Sequence, residues 1–218
     1  MNHRFYNKTK IEQRSILTLI TIRALTIIAA SIIIAVYTGI YLIGIVTFAT
    51  TLSIIAPFFD MPSLKSSGKI VYYSPLFLAE KPKNNLTKIH GGTLFDYYFV
   101  IDRSLNGKQR TDFIIQQYLS GLLAFIEKHK TNKQMKVRGT SYIINKRTAE
   151  KIGFKVVETN MLQKIILIYN YFNVMVSNLI AKNKLAFPKL SNTKTFEADI
   201  GQLLAKRDYI ETLSNTLK

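Results

Sequence analysis

Residues 24–59 form an uninterrupted run of 36 residues without a charged side chain, and no other feature constrains the fold as strongly. A helix needs about 20 apolar residues to cross a bilayer, and about 17 is the practical minimum. The run is therefore too long for one crossing and long enough for two short ones. Tyr37, Thr38 and Gly39 lie near its middle, where glycine permits a tight reversal. We predict a transmembrane hairpin with helices over residues 16–37 and 40–59.

Two other interpretations of this run stay open from the sequence. A secretory signal peptide has an apolar core of only about 7 to 15 residues before its cleavage site, which is much shorter than this run. A single long, tilted helix would place the rest of the chain on the other side of the membrane. The hairpin is favoured because two crossings use the whole run.

The charges that precede the run predict its orientation. Arg4, Lys8, Lys10 and Arg14 outnumber the single acidic residue Glu12 in this flank. Basic flanks stay on the cytoplasmic side of a membrane, and a hairpin returns the following chain to that same side. We therefore expect a multi-pass protein of the inner (cytoplasmic) membrane with both termini cytoplasmic.

The overall charge predicts the kind of partner. Thirty Lys and Arg against 13 Asp and Glu give a formal net charge of +17, which favours polyanions such as nucleic acid or anionic lipid. No Arg-rich run, zinc-finger spacing or base-stacking motif appears, so we expect no specific nucleic acid. The expected partners are the membrane with its anionic lipid, or a protein partner, while the oligomeric state is left open.

The chain has no cysteine and three scattered histidines, and no metal site is predicted.

Beyond the run, the pattern predicts an α/β domain. We divide the chain into an anchor (residues 1–60), a Pro/Ser/Gly-rich linker (61–69) and a cytoplasmic domain (70–218). A mixed sheet covered by helices, with C-terminal helices, is expected from the order of the elements. Strands are predicted over residues 69–80, 86–90, 93–102, 136–145 and 154–158, and helices over 109–130, 146–153 and 196–213.

Residues 161–181 are apolar enough to suggest a third membrane segment. A helix would place large apolar residues along one side and polar residues along the other, namely Asn160, Gln163, Lys164, Asn170, Asn173 and Ser177. Such a helix either packs its apolar side on the sheet or lies in the membrane interface. Packing on the domain is the favoured interpretation.

The stretch AEKIGFKVVE, residues 149–158, resembles the Gcn5-related N-acetyltransferase superfamily. In that family a strand, a pyrophosphate-binding loop, a long helix, a strand, a short helix and a strand follow in turn, and the similarity here covers residues 93–158. Ala149 stands where many members carry a tyrosine general acid, and Tyr142 is a nearby tyrosine. The resemblance implies an acyl-coenzyme A-like donor, held at the loop RSLNGKQRTD by Asn106, Gly107, Lys108 and Arg110; a plain Asn-Gly turn is the alternative.

Two further residues are candidates for acid–base chemistry. His90 precedes a glycine pair, and Asp96 follows six residues later inside an aromatic run. A histidine oriented by a carboxylate is a common general base. With the nearby Tyr142, we therefore take His90 and Asp96 as the catalytic candidates.

Two hypotheses remain, and whether the chain is an enzyme is left open. One is a basic, membrane-anchored domain that binds a partner or anionic lipid without cofactor; the other is a divergent membrane-bound acyltransferase.

Overall fold

The N-terminal hairpin is present in the computed structural model, which describes residues 2–217. Helix α1 (Lys10–Thr38) is followed by Gly39, whose φ of 72° is left-handed, and helix α2 (Tyr41–Ser66) begins two residues later. The reversal lies where the sequence predicted it. Both helices are longer than predicted: the Thr9–Glu12 capping box starts α1 well before the apolar run, and α2 continues beyond Phe59 to Ser66. Met1 and Lys218, the ends of the predicted anchor and domain, lie outside the described residues.

The predicted linker is wrong for most of its length. Helix α2 continues through residues 61–66 although Pro57 and Pro62 lie inside it. Its last turns are held by packing, since Phe58 and Met61 are buried against the domain. Tertiary contacts therefore override the breaker composition that suggested a loop.

The remaining chain forms a six-stranded mixed sheet in the order β1-β2-β3-β4-β6-β5. Among the strands of residues 2–217, only β3 and β4 are parallel, and the connection between them runs through helices α3 and α4. The strands are β1 (Ile70–Ser74), β2 (Phe77–Glu80), β3 (Leu86–Gly91), β4 (Lys136–Ser141), β5 (Lys155–Val157) and β6 (Lys194–Asp199). The helices are α3 (Leu94–Val100), α4 (Gly107–His129), α5 (Lys146–Lys151), α6 (Met161–Tyr169), α7 (Tyr171–Lys182), α8 (Ile200–Leu204) and α9 (Arg207–Asn215).

Two sequence predictions for the domain are wrong in type, and a third joins two strands into one. Residues 93–102 form helix α3 rather than a strand, because Thr93 and Asp96 make a reciprocal capping box at its N-terminus. Residues 196–213 begin as strand β6, which pairs with both β4 and β5. The predicted strand 69–80 is a β1–β2 hairpin that turns at Pro75 and Leu76.

The two faces of the sheet are covered differently. On β2, Phe77 and Ala79 point into a core formed with α4, α8 and α9, while Leu78 points to the opposite face. There it meets α3, the end of α2 and the N-terminal segment, which we define as residues 2–8. Phe5 of this segment is fully buried beside Phe95. The chain before the hairpin is thus packed into the domain that follows it.

Candidate functional site

Asp96, a predicted catalytic residue, is a fully buried carboxylate with four polar contacts. Its two oxygens accept hydrogen bonds from the Thr93 backbone N–H (2.7 Å) and hydroxyl (2.9 Å) and from the Tyr72 hydroxyl (2.7 Å). His3 Nε2 lies 3.4 Å away and is also fully buried. Burial raises the pKa of Tyr72, and the neighbouring Asp96 charge raises it further. The carboxylate therefore joins α3, β1 and the N-terminal segment.

Arg4 strengthens the same junction. Its guanidinium donates to the carbonyls of Phe99 (2.7 Å), Tyr98 (3.0 Å) and Ile101 (3.0 Å) at the end of α3. A cation is favourable there because the last carbonyls of a helix have no partner within it. Asp96 and Arg4 thus occupy the two ends of α3, one at each pole of the helix dipole.

His90, the predicted base, lies on the sheet surface away from this network. It is exposed at the end of β3, and its Nε2 lies 3.0 Å from Glu80 Oε1. The hydrogen bond with His90 lowers the pKa of Glu80. Across residues 2–217, no hydrogen bond joins His90 to Asp96 or Tyr142.

Tyr142 lies in a different cluster, with two tyrosines that the sequence did not single out. The hydroxyls of Tyr97 and Tyr118 are 2.6 Å apart. Burial raises the pKa of both, and the charge of nearby Tyr142 raises it further. Burial raises the pKa of Tyr142 to about 12. A Cβ on Gly91 would lie 2.5 Å from the Tyr118 hydroxyl, so the glycine after His90 makes room for this cluster. The three catalytic candidates do not form one site.

The predicted donor loop is occupied by the protein itself. The Asn106 side chain accepts from the backbone N–H groups of Lys108 and Gln109, both at 3.0 Å. A Cβ on Gly107 would lie 2.1 Å from the carbonyl oxygen of Lys182, at the end of α7. The bare backbone of Gly107 therefore accommodates α7, in the place where the resemblance implied a pyrophosphate.

Arg110 does not present its guanidinium to a ligand in this structure. The residue is 5% exposed, and it donates to the carbonyls of Arg103 (2.6 Å), Leu105 (2.8 Å) and Ile180 (2.8 Å). These contacts tie α4 to the loop before it and to α7. Of the two predicted phosphate-binding cations, only Lys108 is exposed.

Helices α6 and α7 present apolar side chains outwards. The helices meet at Asn170 with a bend of 66°, so the predicted single helix 161–181 is wrong. No residue of α6 is buried, and Ile165 and Ile168 are 56% and 67% exposed. On α7 the buried residues are polar or small, as with Asn173 and Ser177. The expected packing of the apolar side on the domain is therefore wrong for α6, whereas on α7 Val176 and Ile180 are partly buried against the domain.

A row of basic residues crosses the sheet beside α6. Lys88, Arg138, Glu197 and Lys155 are consecutive cross-strand neighbours on β3, β4, β6 and β5. Arg138 Nε donates to Glu197 at 2.9 Å and lowers the pKa of that carboxyl, so Glu197 stays ionised and offsets one of the three cations. We call Lys88, Arg138 and Lys155 the basic row. It retains a net positive charge.

A small cavity of about 60 Å³ joins the basic row to α6. Lys88, His90, Arg138, Thr140 and Gln163 are among its lining residues. It lies where β3 and β4 stop pairing, after Ile89 and Gly139. The basic row thus adjoins α6 at this cavity, through Gln163.

Comparison with known proteins adds no relative: no protein-family model, curated protein or solved structure matches this chain.

Several residues that carry this arrangement were missed by the sequence analysis. The Thr-x-x-Asp spacing of Thr93 and Asp96 is a visible capping signal, and it would have identified α3 as a helix. His3 carried no such signal, because its partner lies 93 residues away along the chain. The basic row was equally hidden, since strand register, rather than sequence spacing, places its residues side by side.

Proposed function

We propose that this chain is a membrane-anchored α/β domain that binds anionic lipid headgroups at its basic row. The observation that carries the proposal is the adjacency of the basic row to α6, whose apolar side chains face outwards. Apolar side chains beside lysine and arginine are typical of surfaces that lie in the headgroup region of a membrane.

The anchor in this proposal is the hairpin of α1 and α2. Both helices are long and apolar enough to cross a membrane, with mean hydropathies of 2.4 and 2.0 over their most apolar windows. Large side chains such as Ile33 and Leu42 are more than 60% exposed, as lipid contact requires. The basic N-terminal flank favours a cytoplasmic N-terminus in the inner membrane. The contact of His3 with Asp96 supports placing the domain on that same side.

Lipid selectivity tests this function. The full chain is reconstituted in phosphatidylcholine bilayers with a trace of spin-labelled phosphatidylglycerol or phosphatidylcholine, and the motionally restricted fraction is measured by electron paramagnetic resonance. We expect several-fold preference for phosphatidylglycerol. Lys88→Gln/Lys155→Gln should remove most of it, since each basic residue near an anionic surface contributes about 1 kcal/mol. High salt should weaken the preference because these charges are near water.

The matched control changes the same charge on the opposite side of the sheet. Lys128 on α4 and Lys206 before α9 are both exposed, and Lys128→Gln/Lys206→Gln should keep the preference. An equal loss in both double variants would show that net charge alone attracts the lipid. No preference in the unmodified chain would contradict the proposed function outright.

A divergent acyltransferase is the second candidate, and one observation favours it. Strand β3, helix α4, parallel strand β4, helix α5 and strand β5 follow in the order that the resemblance to the N-acetyltransferase superfamily implied, except that helix α3 lies between β3 and the loop. An acyl-coenzyme A-like donor would need the loop around Asn106, Gly107 and Lys108 to open. The contacts of Gly107 with Lys182 and of Arg110 with Ile180 oppose that opening.

A further inference from the structure

We infer that α6 and α7 form a re-entrant elbow, which enters one leaflet of the bilayer beside α2 and returns to the side of the domain. We define the elbow as residues 161–182, bent at Asn170. The inference rests on the membrane-spanning hairpin of the proposed function and adds a third segment in contact with hydrocarbon. Three features of the elbow support it: its depth beside α2, its hydrogen bonds and the position of both of its ends.

The depth follows from the contact between the elbow and α2. The hydroxyl of Ser53 donates to the Tyr169 carbonyl at 3.3 Å, and the amide of Asn173 donates to the Ser53 carbonyl at 3.4 Å. Ser53 lies six residues before Phe59, the end of the uncharged run. At 1.5 Å per helical residue, the contact is about 9 Å inside the apolar zone, which is roughly a third of a 30 Å hydrocarbon core.

The hydrogen bonds between α2 and the elbow give partners to backbone carbonyls that could find none in lipid hydrocarbon. Pro57 has no N–H, so it leaves the carbonyl of Ser53, four residues earlier, without its helical partner. Asn173 donates to that carbonyl. In return, Ser53 donates to the carbonyl of Tyr169, which lies at the break between α6 and α7. Each backbone defect is thus covered by a side chain of the other element, as a bilayer interior requires.

The bend itself is also satisfied internally. The backbone N–H of Asn170 and its side-chain amide both donate to the carbonyl of Ile166, at 3.0 and 2.8 Å. The hydroxyl of Ser177 donates to the Asn173 carbonyl at 2.9 Å. Asn173 and Ser177 therefore face the protein while Leu162, Ile165 and Ile168 face outwards; Lys164 is also exposed, near the domain end of α6, where a lysine side chain can extend to the headgroups. This arrangement is the reverse of a helix on a water-soluble domain.

Both ends of the elbow are held on the side of the domain, which distinguishes re-entry from a third crossing. Near the start of α6, the Gln163 Oε1 accepts from the hydroxyls of Thr140 and Thr195, both at 3.2 Å. At the end of α7, the Ile180 carbonyl accepts from Arg110. The outward apolar side of the elbow continues the exposed apolar surface of α2. We therefore take lipid hydrocarbon to be what covers it.

Fluorescence quenching by brominated lipids measures the depth directly. The chain has no tryptophan, so each introduced tryptophan is a unique reporter. Ile165→Trp reports the elbow, Ile33→Trp the hairpin, and Tyr209→Trp on α9 the distal side of the domain. In bilayers with bromines on the upper acyl chain, we expect Ile165→Trp to be quenched within about two-fold of Ile33→Trp, while Tyr209→Trp stays unquenched.

The reporters separate failure of the inference from failure of the proposed function. If Ile33→Trp is quenched and Ile165→Trp is not, the hairpin stands and the elbow lies outside the hydrocarbon, covered by water or by a second copy of the chain. That result overturns the re-entrant elbow alone. If neither is quenched, the hairpin and the elbow are both overturned.

A double-mutant cycle tests the contact at Ser53 independently. Asn173→Ala should lower the unfolding midpoint of the reconstituted chain by about 2 to 4 °C, because the Ser53 carbonyl loses its donor. Pro57→Ala returns an N–H to α2 for that carbonyl, so Asn173→Ala should cost less than half as much in the Pro57→Ala background. Equal costs in both backgrounds would overturn the proposed pairing.

Discussion

Replacing Asp96 with alanine should lower the free energy of unfolding by about 3 to 5 kcal/mol, the cost of breaking a buried charged network. The variant removes the capping interaction of α3 and leaves Tyr72 and His3 buried without their common partner. Asp96→Asn should cost less, because its carbonyl oxygen still accepts hydrogen bonds. The measurement is denaturant or thermal unfolding of the full chain in detergent micelles.

Asp208→Ala is the control for this experiment. That carboxylate is 99% exposed in the first turn of α9, and its replacement should leave the unfolding midpoint nearly unchanged. A fully stable Asp96→Ala variant would contradict a structural role for Asp96. It would return this carboxylate to the list of candidate catalytic groups.

Replacing Arg110 with alanine should cost about 3 to 4 kcal/mol, because three carbonyls in or beside the core lose a charged donor. Lys108→Ala is the matched control, two residues away on the same helix and exposed, and we expect almost no change in stability. Unfolding of both variants in detergent measures the difference. Equal effects at the two positions would contradict the structural role of Arg110.

Acetyl-coenzyme A gives a second readout on the same proteins. A ligand that binds only the folded state raises the unfolding midpoint. We expect no rise at millimolar acetyl-coenzyme A, because the contacts of Asn106, Gly107 and Arg110 close the loop around α4. A rise that Lys108→Ala abolishes would contradict this expectation and favour the acyltransferase candidate.

The hairpin was predictable because its signal is local and large. An uncharged run of this length has few structural solutions, and a glycine near its middle gives the position of the reversal. The first and last residues of α1 and α2 were harder to predict from the sequence. Helix α2 extends to Ser66 because Met61 is buried in the domain, and that contact is invisible in a stretch rich in proline and serine.

Helix α3 shows how strand propensity can mislead. Phe95, Tyr97 and Phe99 favour strands statistically, but strand propensity depends strongly on context. Here the three aromatic side chains are buried beside other helices and the N-terminal segment, and the capping box fixes the helical start. The Thr93–Asp96 capping spacing predicts helix α3 better than the strand propensity of its aromatic residues does. The buried partners of Asp96 could not be predicted from the sequence.

The α6–α7 elbow shows the same limit for a functional surface. The sequence predicted Lys164, Asn173 and Ser177 on one polar side, but Asn173 and Ser177 are buried while Lys164 is exposed beside Ile165. The sequence also gave no means of deciding which side faces the protein. That choice depends on Asn173 and Ser53, which lie 120 residues apart. The unpartnered carbonyl that Pro57 creates explains why a polar side chain packs inwards at this point.

The central claim is that a transmembrane hairpin returns the domain to the side of the N-terminus, and cysteine labelling tests it most directly. The chain has no cysteine, so Asn2→Cys, Tyr37→Cys and Lys83→Cys each carry one reactive thiol. In sealed right-side-out membrane vesicles, an impermeant maleimide should label Tyr37→Cys, which is at the hairpin tip and 92% exposed. Asn2→Cys and Lys83→Cys should react only after permeabilisation. Labelling of Asn2→Cys and Lys83→Cys from opposite sides, or of Tyr37→Cys and Lys83→Cys from the same side, would contradict the hairpin.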